Sequence, residues 1–302
     1  MPSRRHQALA AVIPRLRRSR ELDDEAAERR RVERWHARLT PGMPTPPRFR
    51  RRFSVRVEEL TAASGETFPA YVITRRGSTP RRTILYLHGG GFMAPMDVTH
   101  ARYAGRLASA LDARVVLPAY PLAPEHTWRD SHATLVELAE RCGASDELIL
   151  AGDSAGGGLA LAIALGLRDR GRVTPAKLLL ISPWVDLSTS TPETPDYDAI
   201  DTWLFLGKLR AYAGWWAGSA DDLDRPEVSP ALADLSGLPP ALMFCGTRDL
   251  LVPGCRLLAR RAAEAGWPLR YVEEEGLIHV YPLLPLIPEA RRAWRTTVEF
   301  LR

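Results

Sequence analysis

The sequence predicts an α/β fold: a mostly parallel central sheet of about eight strands with helices on both faces. Two observations carry that prediction. From residue 83 onward, short apolar runs alternate with longer stretches of helical periodicity, as expected of buried strands joined by crossover helices. Within that stretch an apolar run over 147–151 meets a glycine-flanked serine and then an Ala/Leu/Gly-rich run to Leu167, which reads as strand, tight turn and helix. With 302 residues the chain can bury one large core, and a single α/β domain of this size is ordinary.

The elements follow in chain order. Over residues 21–39, Leu22, Ala26, Val32, Trp35 and Leu39 approximate one face of an amphipathic helix, with Arg and Glu elsewhere. Pro41, Gly42, Pro44, Pro46 and Pro47 end it. Phe53, Val55 and Val57 then alternate with polar residues, and a second run covers 68–74. With Ser64-Gly65 between them, the two runs predict an antiparallel pair. Further strands are expected at 83–87, 114–117, 148–151, 177–182, 241–245 and 269–272. Helices are expected at 99–110, 130–141, 155–169, 253–265 and 288–301. Residues 186–230 break the rhythm. They are rich in Trp, Tyr, Pro and Asp, with a helix expected around 208–216, and they stand where a crossover helix is expected, so they read as a lid. The division is then a helical arm over 1–48, core over 49–185, a cap insert over 186–230 and core again over 231–302.

Composition excludes some classes of function. Nothing approaches the ~20 consecutive apolar residues of a membrane-spanning helix. Cys142, Cys245 and Cys255 have no metal-ligand spacing and leave an odd thiol, which fits a reducing cytoplasm. No metal and no cofactor is expected. The formal charge of +5 is uneven: residues 1–52 hold 15 Arg against 6 Asp and Glu, so the other 250 residues carry −4. A basic arm can attract nucleic acid or anionic lipid, but an Arg-rich helix is more often a solvated face, and no nucleic-acid partner is expected. Arg4-Arg5 has the look of a twin-arginine signal, but the apolar stretch over 8–13 is short and Pro14 interrupts it, so no cleaved signal is expected.

The chemistry gathers around three motifs. Gly152-Asp153-Ser154-Ala155-Gly156 has the form G-x-S-x-G, the nucleophile elbow of α/β-hydrolases. Serine is a poor nucleophile and needs a base, normally histidine, held by a carboxylate. In these folds the chain order is Ser, acid, His. Of the seven histidines, at 6, 36, 88, 100, 126, 132 and 279, only His279 lies downstream of Ser154, in the loop expected after strand 269–272. Asp249, after the strand at 241–245, is the candidate acid. Asp186, Asp196, Asp198 and Asp201 precede the required strand, and Glu273, Glu274 and Glu275 lie too near His279 along one strand end. The third motif, His88-Gly89-Gly90-Gly91-Phe92, directly follows strand 83–87. Adjacent glycines let backbone amides approach an oxyanion, and Gly89 and Gly90, with the amide of Ala155, are the candidate donors.

These motifs, with Tyr120-Pro-Leu-Ala-Pro-Glu-His126, Ser182-Pro-Trp-Val-Asp-Leu187 and Asp249-Leu-Leu, resemble in order those of the bacterial hormone-sensitive-lipase family of carboxylesterases. The resemblance covers roughly residues 50–302. It implies an α/β-hydrolase fold and a two-part cap, built from the N-terminal helices and residues 186–220, over a Ser-His-Asp site. It also implies cofactor-free activity on short- to medium-chain acyl esters, and it admits a homodimer through the last strand and helix. Two positions depart from the family pattern: Pro121 stands where arginine is usual, and Pro253 where a second aspartate is usual.

Other readings stand beside these. The same triad would cleave amides, lactones or peptides. A ligand receptor on this fold would keep the serine motif but lose the histidine, and His279 argues against it. His88 reads as a structural residue of the glycine loop, His126 and Glu125 as loop braces, and Asp153 as a residue that orients the site. Trp184, Trp203, Phe205, Trp215 and Trp216 read as core between insert and body or as lining of an acyl pocket.

Overall fold

The alternating run at the start of the sheet forms β1 (Phe53–Thr61) and β2 (Thr67–Arg75), and the later apolar runs form β3 (Arg82–Leu87), β4 (Arg114–Pro118), β5 (Glu147–Asp153), β6 (Lys177–Ile181), β7 (Ala241–Arg248) and β8 (Leu269–Ile278). The computed structural model describes residues 1–17 and 21–302; residues 18–20 of the expected N-terminal arm lie outside them. One sheet takes the eight strands in the order β1-β2-β4-β3-β5-β6-β7-β8. β2 is antiparallel to β1 and to β4, and all the other neighbours are parallel.

The parallel strands are apolar at nearly every position because both faces are covered. Side chains alternate between two core layers. Leu85, Leu87, Leu148 and Leu150 enter one, and Ile84, Tyr86, Ile149 and Ala151 the other. The first layer is closed by α5 (Trp128–Gly143), α6 (Ala155–Arg170) and α9 (Val252–Glu264), the second by α4 (Val98–Leu111) and α10 (Pro288–Leu301). Among the described residues no helix is long and apolar enough to cross a membrane.

The N-terminal arm forms α1 (Arg4–Arg17), α2 (Glu25–His36) and the single turn α3 (Phe49–Arg52); residues 186–230 hold α7 (Thr194–Asp198) and α8 (Leu206–Ala217). Three expectations need correction. First, α2 is shorter than the helix read over 21–39, because the Asp24 carboxylate accepts the amides of Ala26 and Ala27 and fixes its start. Its inward residues are Glu28 and Val32, while Trp35 and Leu39 are exposed. Hydrophobic periodicity misplaced that face because a buried carboxylate occupies it. Glu28 accepts the Tyr212 hydroxyl from α8 at 2.5 Å and two Arg31 N–H groups at 2.7 Å. Second, the arm also holds a helix that the sequence reading did not place, α1, which runs through Pro14 while Ala10 and Ile13 bury on the second layer. Third, β8 continues past 272 to Ile278, so His279 follows a strand directly and not a loop. A register irregularity at Gly246/Arg248, opposite Ile278, accommodates the longer strand.

Candidate active site

Ser154 is the single residue between the end of β5 and the start of α6. Its φ of 51° and ψ of −126° lie where a side chain is strained, so the surroundings must over-determine it. They do. Ser154 N donates to Ile181 O at 2.9 Å, and the amides of Trp184 and Gly157 donate to Ser154 O at 2.8 and 2.9 Å. Gly156 lies so close to β3 that a Cβ there would collide with the carbonyls of Leu87 and His88. The elbow glycines therefore set how near α6 sits to the sheet, and with it where the serine points.

The structure brings the three scattered candidates together. Ser154 Oγ lies 3.0 Å from His279 Nε2, and His279 Nδ1 lies 2.9 Å from Asp249 Oδ2. All three are buried, Asp249 completely. Asp249 is fixed in turn: its Oδ1 accepts the Leu251 amide at 3.0 Å, and the Cys245 thiol lies 3.6 Å from Oδ2. Burial disfavours the His279 imidazolium, but the carboxylates of Asp249, Asp201 and Asp153 together outweigh that and raise the histidine above its ordinary pKa. On either side of His279 the backbone is pinned from afar. The Val280 amide donates to Ser182 Oγ at 3.0 Å, and the Ile278 amide to Nε2 of His6, on α1, at 3.2 Å.

The glycine loop corrects one assignment. The Gly89 amide donates to Asp153 Oδ1 at 3.1 Å, and a Cβ on Gly89 would sit 3.0 Å from Ser154 Cβ. That amide is engaged and is not free for an oxyanion. The amides of Gly90, Gly91 and Ala155 donate to no protein acceptor among the described residues. Gly90 has φ of 127°, which needs glycine, and Gly91 has φ of 61°, which favours it. Asp153 also accepts the Tyr86 hydroxyl at 2.8 Å. Burial opposes its charge, but His100, with Nε2 3.5 Å from Oδ2, outweighs this and lowers its pKa. His88 is buried, driven down to about 4 by burial and by His100, and stacked on Tyr120 at 4.4 Å, which makes it a neutral packing residue.

The remaining candidates also fall into place. Glu125 Oε2 meets His36 Nδ1 at 2.7 Å, and His36 Nε2 meets Met93 O at 2.7 Å, tying α2 to the loop after the glycines. His126 faces Glu66 at 3.3 Å. Asp186 holds Ser188 and Ser190 in its own turn, Asp198 accepts the Leu206 amide, and Asp196 is exposed. Trp216 stacks on Phe92 at 4.3 Å, Trp184 and Trp215 are buried, and Phe205 is partly buried. Trp203 presents its ring edge-on to His279 at 5.5 Å. Pro253 sits in the first turn of α9, where its missing amide costs nothing.

Sequence reasoning missed two positions. Asp201, set aside because it precedes β7, is buried beside Asp249. Its Oδ1 accepts the amides of Trp203 and Leu204, and its Oδ2 the Leu250 amide at 2.7 Å. Burial and then the Asp249 charge lift it to about 6. His6 had no motif at all and reaches Ile278 across 272 residues.

A doubly covered parallel sheet with a serine elbow at a strand end defines an α/β hydrolase. The family model described as the α/β hydrolase fold matches residues 84–283. An acetyl-hydrolase of Streptomyces hygroscopicus is 35% identical over 226 residues, covering 73% of this chain and 75% of that protein. An esterase of Acinetobacter venetianus is 28% identical over 269 residues, covering 87% and 84%. Among solved structures, an esterase from the bacterial hormone-sensitive lipase family superposes with a TM-score of 0.79 at 27% identity, covering 100% of this chain and 99% of that one. The chain belongs to the α/β-hydrolase-fold family and, within it, to the bacterial hormone-sensitive-lipase group of carboxylesterase/lipase-like hydrolases that cleave esters.

Proposed function

We propose that the chain cleaves short- to medium-chain carboxylic esters through Ser154, His279 and Asp249 by way of an acyl-enzyme. The observation that carries this reading is the unbroken chain of contacts from Ser154 Oγ to His279 Nε2 at 3.0 Å and from His279 Nδ1 to Asp249 Oδ2 at 2.9 Å. Asp249 accepts a hydrogen bond from His279 Nδ1–H, so the Nε2 lone pair faces the serine hydroxyl. His279 takes that proton as Ser154 Oγ attacks the acyl carbon, and returns it to the departing alcohol. Water, deprotonated by the same nitrogen, then releases the acid. Ala155 and Gly90 are the oxyanion donors in this proposal, and Gly91 supplies the third amide because that of Gly89 is engaged by Asp153.

Residues 1–48 and 186–230 act as the two parts of a cap over the core segments 49–185 and 231–302. The contacts from α8 to α2 at Glu28, and from α2 to the glycine loop at His36, support this division. The three free thiols suit a reducing cytoplasm. β8 ends the sheet, and its outer edge is the surface through which two copies would pair.

Turnover of p-nitrophenyl butyrate by Ser154→Ala tests the nucleophile, with an expected fall of ~10⁴-fold or more. Near-normal turnover would sink the assignment. A panel of butyryl ester, lactone and amide separates ester cleavage from the other bonds the same triad could cut, and an amide preference would overturn the ester reading.

A further inference from the structure

A second concavity lies on the α4/α10 side of the sheet and shares no lining residue with the Ser154 site. It is a cleft of about 560 Å³ with Phe49, Phe53 and Trp294 in its lining and Arg48, Arg52, Arg102 and Arg106 around them. That volume is of the size that takes a small organic ligand. Local structure explains the apolar part. Arg48, at a φ of 63°, turns the chain into α3, so that the Phe49 and Phe53 rings meet at 4.6 Å. Both rings lie on Gly105 of α4, where a Cβ would stand 2.7 Å from one and 3.1 Å from the other. Trp294 reaches in from α10, with the Arg106 guanidinium 3.8 Å from its ring centre.

Several arginines of the molecule pair with carboxylates, as Arg82 does with Glu147, Arg114 with Asp146, Arg256 with Glu273 and Arg292 with Glu274. The cleft has no Asp or Glu in its lining, and none of its four arginines pairs with a carboxylate among the described residues. Burial pulls the Arg106 pKa below its ordinary value, opposed only by the Tyr103 phenol. Like charges around one basin repel, and an anion placed among them would be attracted by all four. The floor, in contrast, favours hydrocarbon or an aromatic ring.

We propose that this cleft binds a small amphiphilic oxyanion, with an aliphatic or aromatic body on Phe49, Phe53 and Trp294 and a carboxylate or phosphate held by Arg48, Arg52, Arg102 and Arg106. Guanidinium groups bind both head groups in paired hydrogen bonds. The proposal is independent of the ester-cleavage reading, because the ligand is bound and not transformed.

Isothermal titration of the full chain with decanoate, decyl phosphate, inorganic phosphate and decanol tests it. Decanoate or decyl phosphate should bind, and the stronger of the two identifies the head group. Inorganic phosphate and decanol, each lacking one half of the ligand, should bind at least about tenfold more weakly. Arg102→Gln/Arg106→Gln should weaken the amphiphile by about tenfold or more. The exposed Arg48→Gln/Arg52→Gln pair provides a second loss that does not disturb the Trp294 contact. p-Nitrophenyl butyrate turnover should stay unchanged in both, and the melting temperature in Arg48→Gln/Arg52→Gln. Equal affinity for phosphate and decanoate, or amphiphile binding untouched by both double variants, would overturn the proposal. Decanoate is also a product the Ser154 site would release, so it is the loss of binding in the double variants, read with turnover unchanged, that reports on the cleft.

Discussion

At the sheet ends, the groups around Ser154 are fixed by backbone. β5 and α6 leave one residue between them, Ser182 and His6 hold the amides that flank His279, and Leu251 holds Asp249. The joint between α2 and α8 is made differently. Val32 shares an apolar cluster with α8, and the hydrogen bonds across the joint run between side chains: the Tyr212 hydroxyl on Glu28, and the Trp215 indole donating to Glu25 at 2.9 Å. Hydrogen bonds to the main chain of the sheet cannot exchange without moving the strands that carry it, whereas side-chain partners can exchange for water at a net cost of about 1 kcal/mol each. A reacting geometry that must hold to fractions of an ångström therefore rests on the first kind of joint. In the proposed reading, the cover that admits substrate to Ser154, 8% exposed, rests on the second.

The sharpest way to break that contrast is at the buried acid. Asp249→Asn keeps shape but reverses the hydrogen-bond preference at His279 Nδ1, and kcat should fall by about 10⁴-fold with little change in KM. A loss under tenfold would mean that the contacts at the sheet end do not set the chemistry. The pH profile is a finer probe. His279 must be neutral to act as base, and its pKa lies above that of an ordinary histidine, about 6.5. The acid limb of kcat/KM in the parent enzyme should therefore fall above about pH 6.5, with activity lost as pH drops through it. In the residual activity of Asp249→Asn the limb should move down, since the largest raising charge is gone.

Next in size is Asp201, where insert and body meet. One carboxylate there accepts three amides, those of Trp203, Leu204 and Leu250. Asparagine has a single acceptor oxygen, so at least one amide would be left without its partner. Asp201→Asn should cost about 1–3 kcal/mol in urea unfolding. It should also lower kcat more than it changes KM, because Leu250 adjoins Asp249. Unchanged stability with unchanged kcat would separate the insert from the acid and remove the link between the two regions.

How much of this was legible in the sequence follows the same division. The parallel strands, Ser154, Asp249 and His279 could be read because strand–turn–helix order leaves local marks: glycines at the elbow, apolar runs of strand length, and acid before histidine. The Gly89 assignment failed because a motif gives residue types and not the partner of each amide. Only the position of Asp153 reveals that this one is engaged. Asp201 and His6 were invisible for a related reason. Their bonds, to Leu250 and Ile278, are to backbone atoms distant in the chain, and backbone acceptors and donors carry no sequence signature. α2 was misread because its inward face carries Glu28, which looks solvent-facing until Arg31, Lys208 and Tyr212 are placed around it.

The smallest expected effect lies at that carboxylate and tests the cover alone. The Arg31 hydrogen bonds, helped by Tyr212 and Lys208 and opposed by burial, depress the Glu28 pKa to about 2. Its unfolded value is about 4.3. A depressed folded pKa contributes stability that is fully present above the unfolded value and is lost as pH falls toward the folded one. Part of the acid sensitivity of the fold between about pH 4.3 and pH 2 should therefore belong to Glu28. Glu28→Gln removes that part, so its melting temperature should lie below the parent's at pH 7 and converge on it as pH approaches 2. At neutral pH the substitution should cost about 1–2 kcal/mol, with a larger change in KM than in kcat, because the cover loosens while Ser154, His279 and Asp249 stay in place. A fall in kcat as deep as that of Asp249→Asn would show that α2 helps to hold the reacting groups, and that the polar and backbone-held regions form one mechanical unit.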